Sequence, residues 1–167
     1  GEVLDFIGDA VLAIFPYESE AEFPQASEAA TAALREAFKL REQVNVERQK
    51  SGRVPIRFGI GLNTGTVMFG NIGVAERLTF SVIGPTVNEV SRIETLTKAV
   101  ESNALVTRKI AENEPGAWHS VGQHRLAGVS QEIELFEMAP ETTTLATDAI
   151  GADAEHPIET NGPPVRH

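Results

Sequence analysis

The stretch Phe80–Glu94, FSVIGPTVNEVSRIE, constrains the fold more than any other part of the chain. Ser81, Val82 and Ile83 read as a short strand, and Gly84-Pro85 as a break. A helix is expected to start there, because proline is tolerated in the first helical turn, where its missing N–H has no partner to lose. Val87, Val90, Ile93 and Leu96 then recur at helical spacing and form one apolar stripe. Asn88 and Arg92 are four residues apart, so they project from one side of that helix, one turn from each other. An amide and a guanidinium in this register can grip a sugar or ring oxygen and a phosphate.

The chain has 167 residues, enough for one domain with a real core. Its formal charge of −10 argues against a nucleic acid or an anionic membrane as partner, because those surfaces demand basic patches. A nucleotide is still compatible, since a divalent metal bridges carboxylates to phosphates. There is no cysteine, which excludes disulfides and thiolate metal sites and is compatible with a reducing, cytoplasmic setting. No apolar run approaches the roughly 20 residues of a membrane span, and no signal peptide is visible. The first residues are strand-like and lack a Met, as expected of a piece of a longer protein.

In chain order, Glu2–Phe15 reads as a hairpin whose two apolar runs flank the turn pair Gly8-Asp9. The runs are apolar at nearly every position, the pattern of strands buried on both faces. Asp5 interrupts one of them. A carboxylate in so apolar a run points to a site, whereas Asp9 alone would pass for a turn residue. Pro24–Ser51 predicts a long packing helix with Ala29, Ala33, Ala37, Leu40 and Val44 as its stripe, and Arg48, Lys50 and Gly52 at its end. Val54–Ile72 predicts two strands joined at Asn63-Thr64-Gly65, with a loop from Gly70 to Thr79. The cluster Gly59, Gly61, Gly65 lacks the following helix of a dinucleotide fingerprint, so it marks bulges or close backbone approach.

After the helix of the opening stretch, short strands are predicted at Ala104–Val106, Trp118–Val121 and Glu132–Met138, with a turn near Gly128. The four histidines show no metal-ligand spacing. From Pro140 to His167 the composition shifts to Thr, Ala, Pro, Gly and acids, predicting a disordered acidic tail after a domain of residues 1–139. The element order implies an α+β or α/β sandwich, with helices on a mainly antiparallel sheet.

Three separated stretches, FIGDAVLAIFP at 6–16, GIGLNTGTVMFGNIG at 59–73 and SVIGPTVNEVSRIE at 81–94, together resemble the catalytic domain of the class III adenylate and guanylate cyclases. HRLAGVSQEIELFEM at 124–138 resembles that domain's closing hairpin, so the likeness spans roughly residues 1–138. The resemblance implies a ferredoxin-like sandwich that converts a nucleoside triphosphate to a 3′,5′-cyclic nucleotide and pyrophosphate, in signal transduction. It implies two divalent metals, Mg2+ or Mn2+, held by two Asp residues, of which Asp9 matches the second. Asn88 matches the residue that orients the ribose. Arg92 matches the one that stabilises charge on the phosphates. The family's site forms between two protomers, implying a homodimer with two equivalent sites.

The chain departs from the family's pattern in three places. The other metal Asp is expected on an earlier strand, absent here along with the helices that follow it. Asp5 stands where adenylate cyclases carry a Lys that reads adenine, and its partner position is Ser81. A carboxylate there suits guanine N1–H and its 2-amino group, while the bacterial likeness favours ATP. A Lys frequent before the closing strand is replaced around Leu126-Ala127-Gly128, with Arg125 nearby. The alternative expectation is a degenerate cyclase-like module that binds nucleotide or dimerises without turnover.

Overall fold

The computed structural model describes residues 1–74, 77–129 and 131–139. The expected acidic tail, with His156 and His167, lies outside the described residues. The elements are β1 (Glu2–Ile7), β2 (Ala10–Ile14), α1 (Phe23–Lys50), β3 (Ile60–Leu62), β4 (Met68–Val74), β5 (Arg77–Ile83), α2 (Pro85–Ala99), β6 (Ala104–Thr107), α3 (Arg108–Glu112), β7 (Trp118–Arg125) and β8 (Glu132–Met138). The architecture is α+β, as expected, with every strand pair antiparallel except β3 and β6.

The centre is a four-stranded sheet in the order β3-β6-β8-β7. All four residues of β6 are buried, because a helix covers each face. On one face α1 sets Leu34 and Phe38 against Ala104, Val106, Ile110 and Trp118. On the other, Ile93 of α2 meets Leu105, Leu126 and Leu135. Alternate residues of one strand thus feed two cores, as period-two geometry dictates. Ile93, Leu105 and Leu135 are 0% exposed, and each contributes about 1.5–3 kcal/mol of burial.

Two hairpins stand beside this sheet. β1 and β2 pair through the two-residue loop Gly8-Asp9, with a bulge between Val3 and Asp5. Their outward face is open, with Phe6 72% and Val3 60% exposed, so the burial on both faces predicted for this hairpin is not met by the described residues. β4 and β5 form the second hairpin, from Met68↔Ile83 to Val74↔Arg77. The loop predicted from Gly70 to Thr79 is therefore mostly strand. Its glycines mimic a turn signal but sit in an extended ladder.

Three further expectations are corrected. The buried stripe of α1 is Phe23, Ser27, Thr31, Leu34 and Phe38, while Ala29, Ala33, Leu40 and Val44 are exposed. Alanines mark good helix but bury little area, and the large side chains decide which face turns inward. Asn63-Thr64-Gly65 is not a hairpin turn, because β3 pairs in parallel with β6 and β4 pairs with β5. The segment 54–58, predicted as strand, joins no sheet among the described residues. Its backbone is held by side chains of α1: Asn45 both donates to Ile56 O (2.9 Å) and accepts from Ile56 N (2.6 Å), and Arg48 Nε donates to Val54 O (2.7 Å). No sequence signal marks the short helix α3, and β7 runs further than predicted.

Candidate active site

Helix α2 carries the two residues on which the site is built. Gly84 is its N-cap and Pro85 its first residue, as the Gly-Pro signal predicts. Asn88 is exposed and Arg92 half-buried, one turn further along. Three contacts fix the height of this helix over the sheet. At Gly61 the backbones touch: a Cβ there would lie 2.8 Å from Glu94 N and 2.9 Å from Val90 O. The glycine is required because the helix backbone occupies the place of a side chain. Thr86 Oγ1 donates to Thr66 O (3.1 Å), and Asn63 Nδ2 donates to Glu89 Oε2 (3.0 Å). Thr64 is in turn hydrogen-bonded to Tyr17 (2.6 Å between oxygens). The Asn-Thr-Gly motif is thus a brace for the N-terminal half of α2. Its residue types were noted in the sequence, but its role was not visible, because its partners lie elsewhere in the chain.

The guanidinium of Arg92 rests beside the β7–β8 turn. An ideal Cβ on Gly128 would sit 3.3 Å from Nη2 and 3.5 Å from Nη1. Among the described residues, Arg92 has no ion-pair or side-chain hydrogen-bond partner. By contrast Arg125, a candidate substitute for the family's Lys, is 73% exposed and faces Glu132 across the ladder at 3.6 Å. A half-buried guanidinium with unused donors suits an anion brought by a ligand.

The carboxylates sit on the β1–β2 hairpin. Asp9 is exposed at its tip, where it makes no hydrogen bond or ion pair with Asn88 or Arg92. Asp5 is half-buried, paired in register with Leu12, and its Oδ1 accepts from Phe6 N (2.8 Å). β1 lies against β5, which brings the strand of Asp5 beside the strand of Ser81; Ser81 pairs with Gly70. Asn88 and Arg92 thus share α2, Asp5 stands on β1, which lies against the strand of Ser81, and Asp9 stands at the β1–β2 tip.

Among the described residues no three His, Asp or Glu side chains converge as a metal cage. Asp9 nonetheless has the right donor chemistry. A hard, exposed carboxylate with no ion pair among the described residues can share a Mg2+ or Mn2+ with substrate phosphates and water, which is how such ions are usually held.

The protein-family model of the adenylate and guanylate cyclase catalytic domain matches residues 2–125. An adenylate cyclase of Anabaena cylindrica is 34% identical over 113 residues, covering 68% of this chain and 22% of that protein. An uncharacterized Mycobacterium tuberculosis protein is 30% identical over 168 residues, covering 95% of this chain and 28% of that one. The chain thus spans about a quarter of the length of these relatives. Among solved structures, the guanylyl cyclase Cya2 superposes with a TM-score of 0.69 at 27% identity, covering 86% of this chain and 73% of that one. The adenylyl cyclase CyaB of P. aeruginosa shares the fold, with a TM-score of 0.63 at 22% identity. No helix among the described residues is long and apolar enough to cross a membrane. The ordered motifs, the α+β architecture and these matches agree: the chain belongs to the adenylate and guanylate cyclase catalytic domain family.

Proposed function

We propose that this chain is the catalytic part of a nucleotide cyclase that forms a 3′,5′-cyclic nucleotide and pyrophosphate from a nucleoside triphosphate, at a site shared by two protomers. The observation that carries this reading is the pair Asn88 and Arg92, one turn apart on α2, with the Arg92 donors unclaimed among the described residues. The ribose 3′-oxygen bonds to the α-phosphorus as the bond to the pyrophosphate oxygen breaks, and the hydroxyl proton leaves to solvent. Asn88 hydrogen-bonds the ribose and holds the 3′-oxygen in line. Arg92 donates to the phosphate oxygens, where negative charge grows in the transition state. A divalent metal shared by Asp9 would neutralise the phosphates and make the 3′-hydroxyl more acidic. Among the described residues no ion pair joins Asp9 and Arg92 of one chain, and we assign Asp9 of the partner to the site that Arg92 serves.

Two-metal chemistry needs a second carboxylate beside Asp9, and among the described residues no group of three or more His, Asp or Glu side chains is set to hold a metal. The family resemblance puts it on a further strand. The strand that carries it would pair with the outer edge of β3, which has no strand partner among the described residues. Assays therefore use the protein with its natural upstream sequence. Supplied with Mn2+, it is expected to make cyclic AMP from ATP, and less cyclic GMP from GTP. Absence of either product from a folded dimer contradicts turnover. It would favour the second reading, a nucleotide-binding or dimerisation module, for which the lack of a three-membered His, Asp or Glu cluster among the described residues is the supporting observation.

ATP is favoured as substrate because a sequence relative named for its activity is an adenylate cyclase. Asp5 pulls the other way, since a carboxylate accepts from guanine N1–H and the 2-amino group. Its Oδ1 already accepts the Phe6 amide, which leaves Oδ2 and one further lone pair for a base. Asp5→Lys is expected to shift the ATP/GTP ratio of kcat/KM toward ATP by at least about tenfold, because a buried donor–acceptor mismatch is strongly discriminating. An unchanged ratio removes Asp5 from base reading.

A further inference from the structure

We infer that the turn Leu126–Val129 is a seat for the Arg92 guanidinium, and that Gly128 is its positioning residue. The turn closes with Val129 N donating to Leu126 O (3.0 Å), and Gly128 has φ +71°. A positive φ at the third position alone is the pattern of a type II turn, which calls for glycine or asparagine there. Two anchors fix where the turn sits. Leu126 is 3% exposed, and it and Val129 pack in the same core cluster as Ile93, the residue next to Arg92. Helix α2 and the β7–β8 turn are therefore tied together immediately beside the guanidinium.

The guanidinium lies against the bare Cα of Gly128, so close that an added side chain would press on it. A Cβ would stand 3.3, 3.5 and 3.7 Å from Nη2, Nη1 and Cζ of Arg92, and no other residue supplies its three nearest atoms. The atoms in the way belong to the end of a flexible side chain rather than to backbone. A side chain at 128 is thus accommodated by moving the guanidinium, and the fold does not have to give way. The turn aims the donors of Arg92 without a hydrogen bond that would consume them.

Gly128→Asn tests this directly, because asparagine tolerates a left-handed φ and adds a side chain where the guanidinium rests. Gly116→Asn is the control: Gly116 has φ +86°, open space around it, and lies at the other end of β7. The readout is the Nε–Hε NMR signal of Arg92 in this chain, assigned by its loss in Arg92→Lys. In the unsubstituted chain it is expected to be rigid on the nanosecond scale, unlike the exposed Arg57. Gly128→Asn is expected to shift it and make it mobile, and Gly116→Asn to leave it alone. An Arg92 as mobile as Arg57 before any substitution, or a signal unmoved by Gly128→Asn, overturns the seat.

Its consequence for turnover rests on the cyclase reading. There Gly128→Asn is expected to lower kcat by roughly 100-fold with KM little changed, since small misplacements of a catalytic group are costly. It should cause no further loss on an Arg92→Ala background. If Arg92→Ala lowers turnover and Gly128→Asn does not, the seat is wrong. If Arg92→Ala itself changes nothing, the cyclase reading fails and the NMR result still decides the seat.

Discussion

Arg92→Ala is expected to lower cyclic nucleotide formation by about two or more orders of magnitude while the fold persists. The side chain is half-buried on α2, lies over the glycine of the β7–β8 turn, and has no ion-pair partner among the described residues. Removing it leaves no buried carboxylate orphaned, so the usual large stability penalty of breaking an ion pair does not arise. The loss should fall on kcat rather than KM, because the guanidinium meets charge that grows only as the bond to pyrophosphate breaks. Steady-state rates with ATP and Mn2+, paired with a thermal melt, separate the two effects. A variant with unchanged rate removes Arg92 from the chemistry. One with a melt lowered as much as its rate turns it into a structural residue.

Gly61→Ala is the second large effect, and it acts on structure first. The added methyl would meet Glu94 N at 2.8 Å and Val90 O at 2.9 Å, both backbone atoms of α2. Neither can rotate aside, so the whole helix must lift from β3. Overpacking of this kind typically costs 1–3 kcal/mol. The helix carries Asn88 and Arg92, and its N-terminal half is braced by Asn63–Glu89 and Thr86–Thr66. A shift of a few tenths of an ångström therefore reaches the site, and the rate is expected to fall by about tenfold or more even at temperatures where the variant is fully folded. Denaturant unfolding gives the first quantity and the assay gives the second. A variant of unchanged stability would show that α2 and β3 do not touch at Gly61.

Much of this was legible in the sequence, for identifiable reasons. Gly84-Pro85 and the stripe Val87, Val90, Ile93, Leu96 locate α2 because a helix start and a helical period are both local signals. The β1–β2 hairpin is legible through Gly8-Asp9 for the same reason. What was misread depends on partners far along the chain. Asn63-Thr64-Gly65 looks like a hairpin turn, yet β3 finds its neighbour in β6, and no local pattern encodes a parallel pairing. Gly70 and Gly73 look like loop residues, yet they lie in the β4–β5 ladder. The face of α1 was misjudged because five alanine and aliphatic positions repeat well, whereas Phe23, Leu34 and Phe38 hold the buried area. In the site, Asn88 and Arg92 were visible through their spacing. The glycines at 61 and 128 were visible only as glycines, since what they make room for lies in another element.

The central claim is that one catalytic site is assembled from two chains, with Asp9 from one and Arg92 from the other. It is tested most directly by mixing. Asp9→Asn and Arg92→Ala protomers of the protein with its upstream sequence are each expected to be nearly inactive alone. Coexpressed, they form mixed dimers in which one of the two sites carries both substitutions and the other carries neither. Random pairing then restores about one quarter of the unsubstituted activity, as two-fold symmetry requires. A mixture as inactive as its components, from chains shown to exchange into mixed dimers, would contradict the shared site.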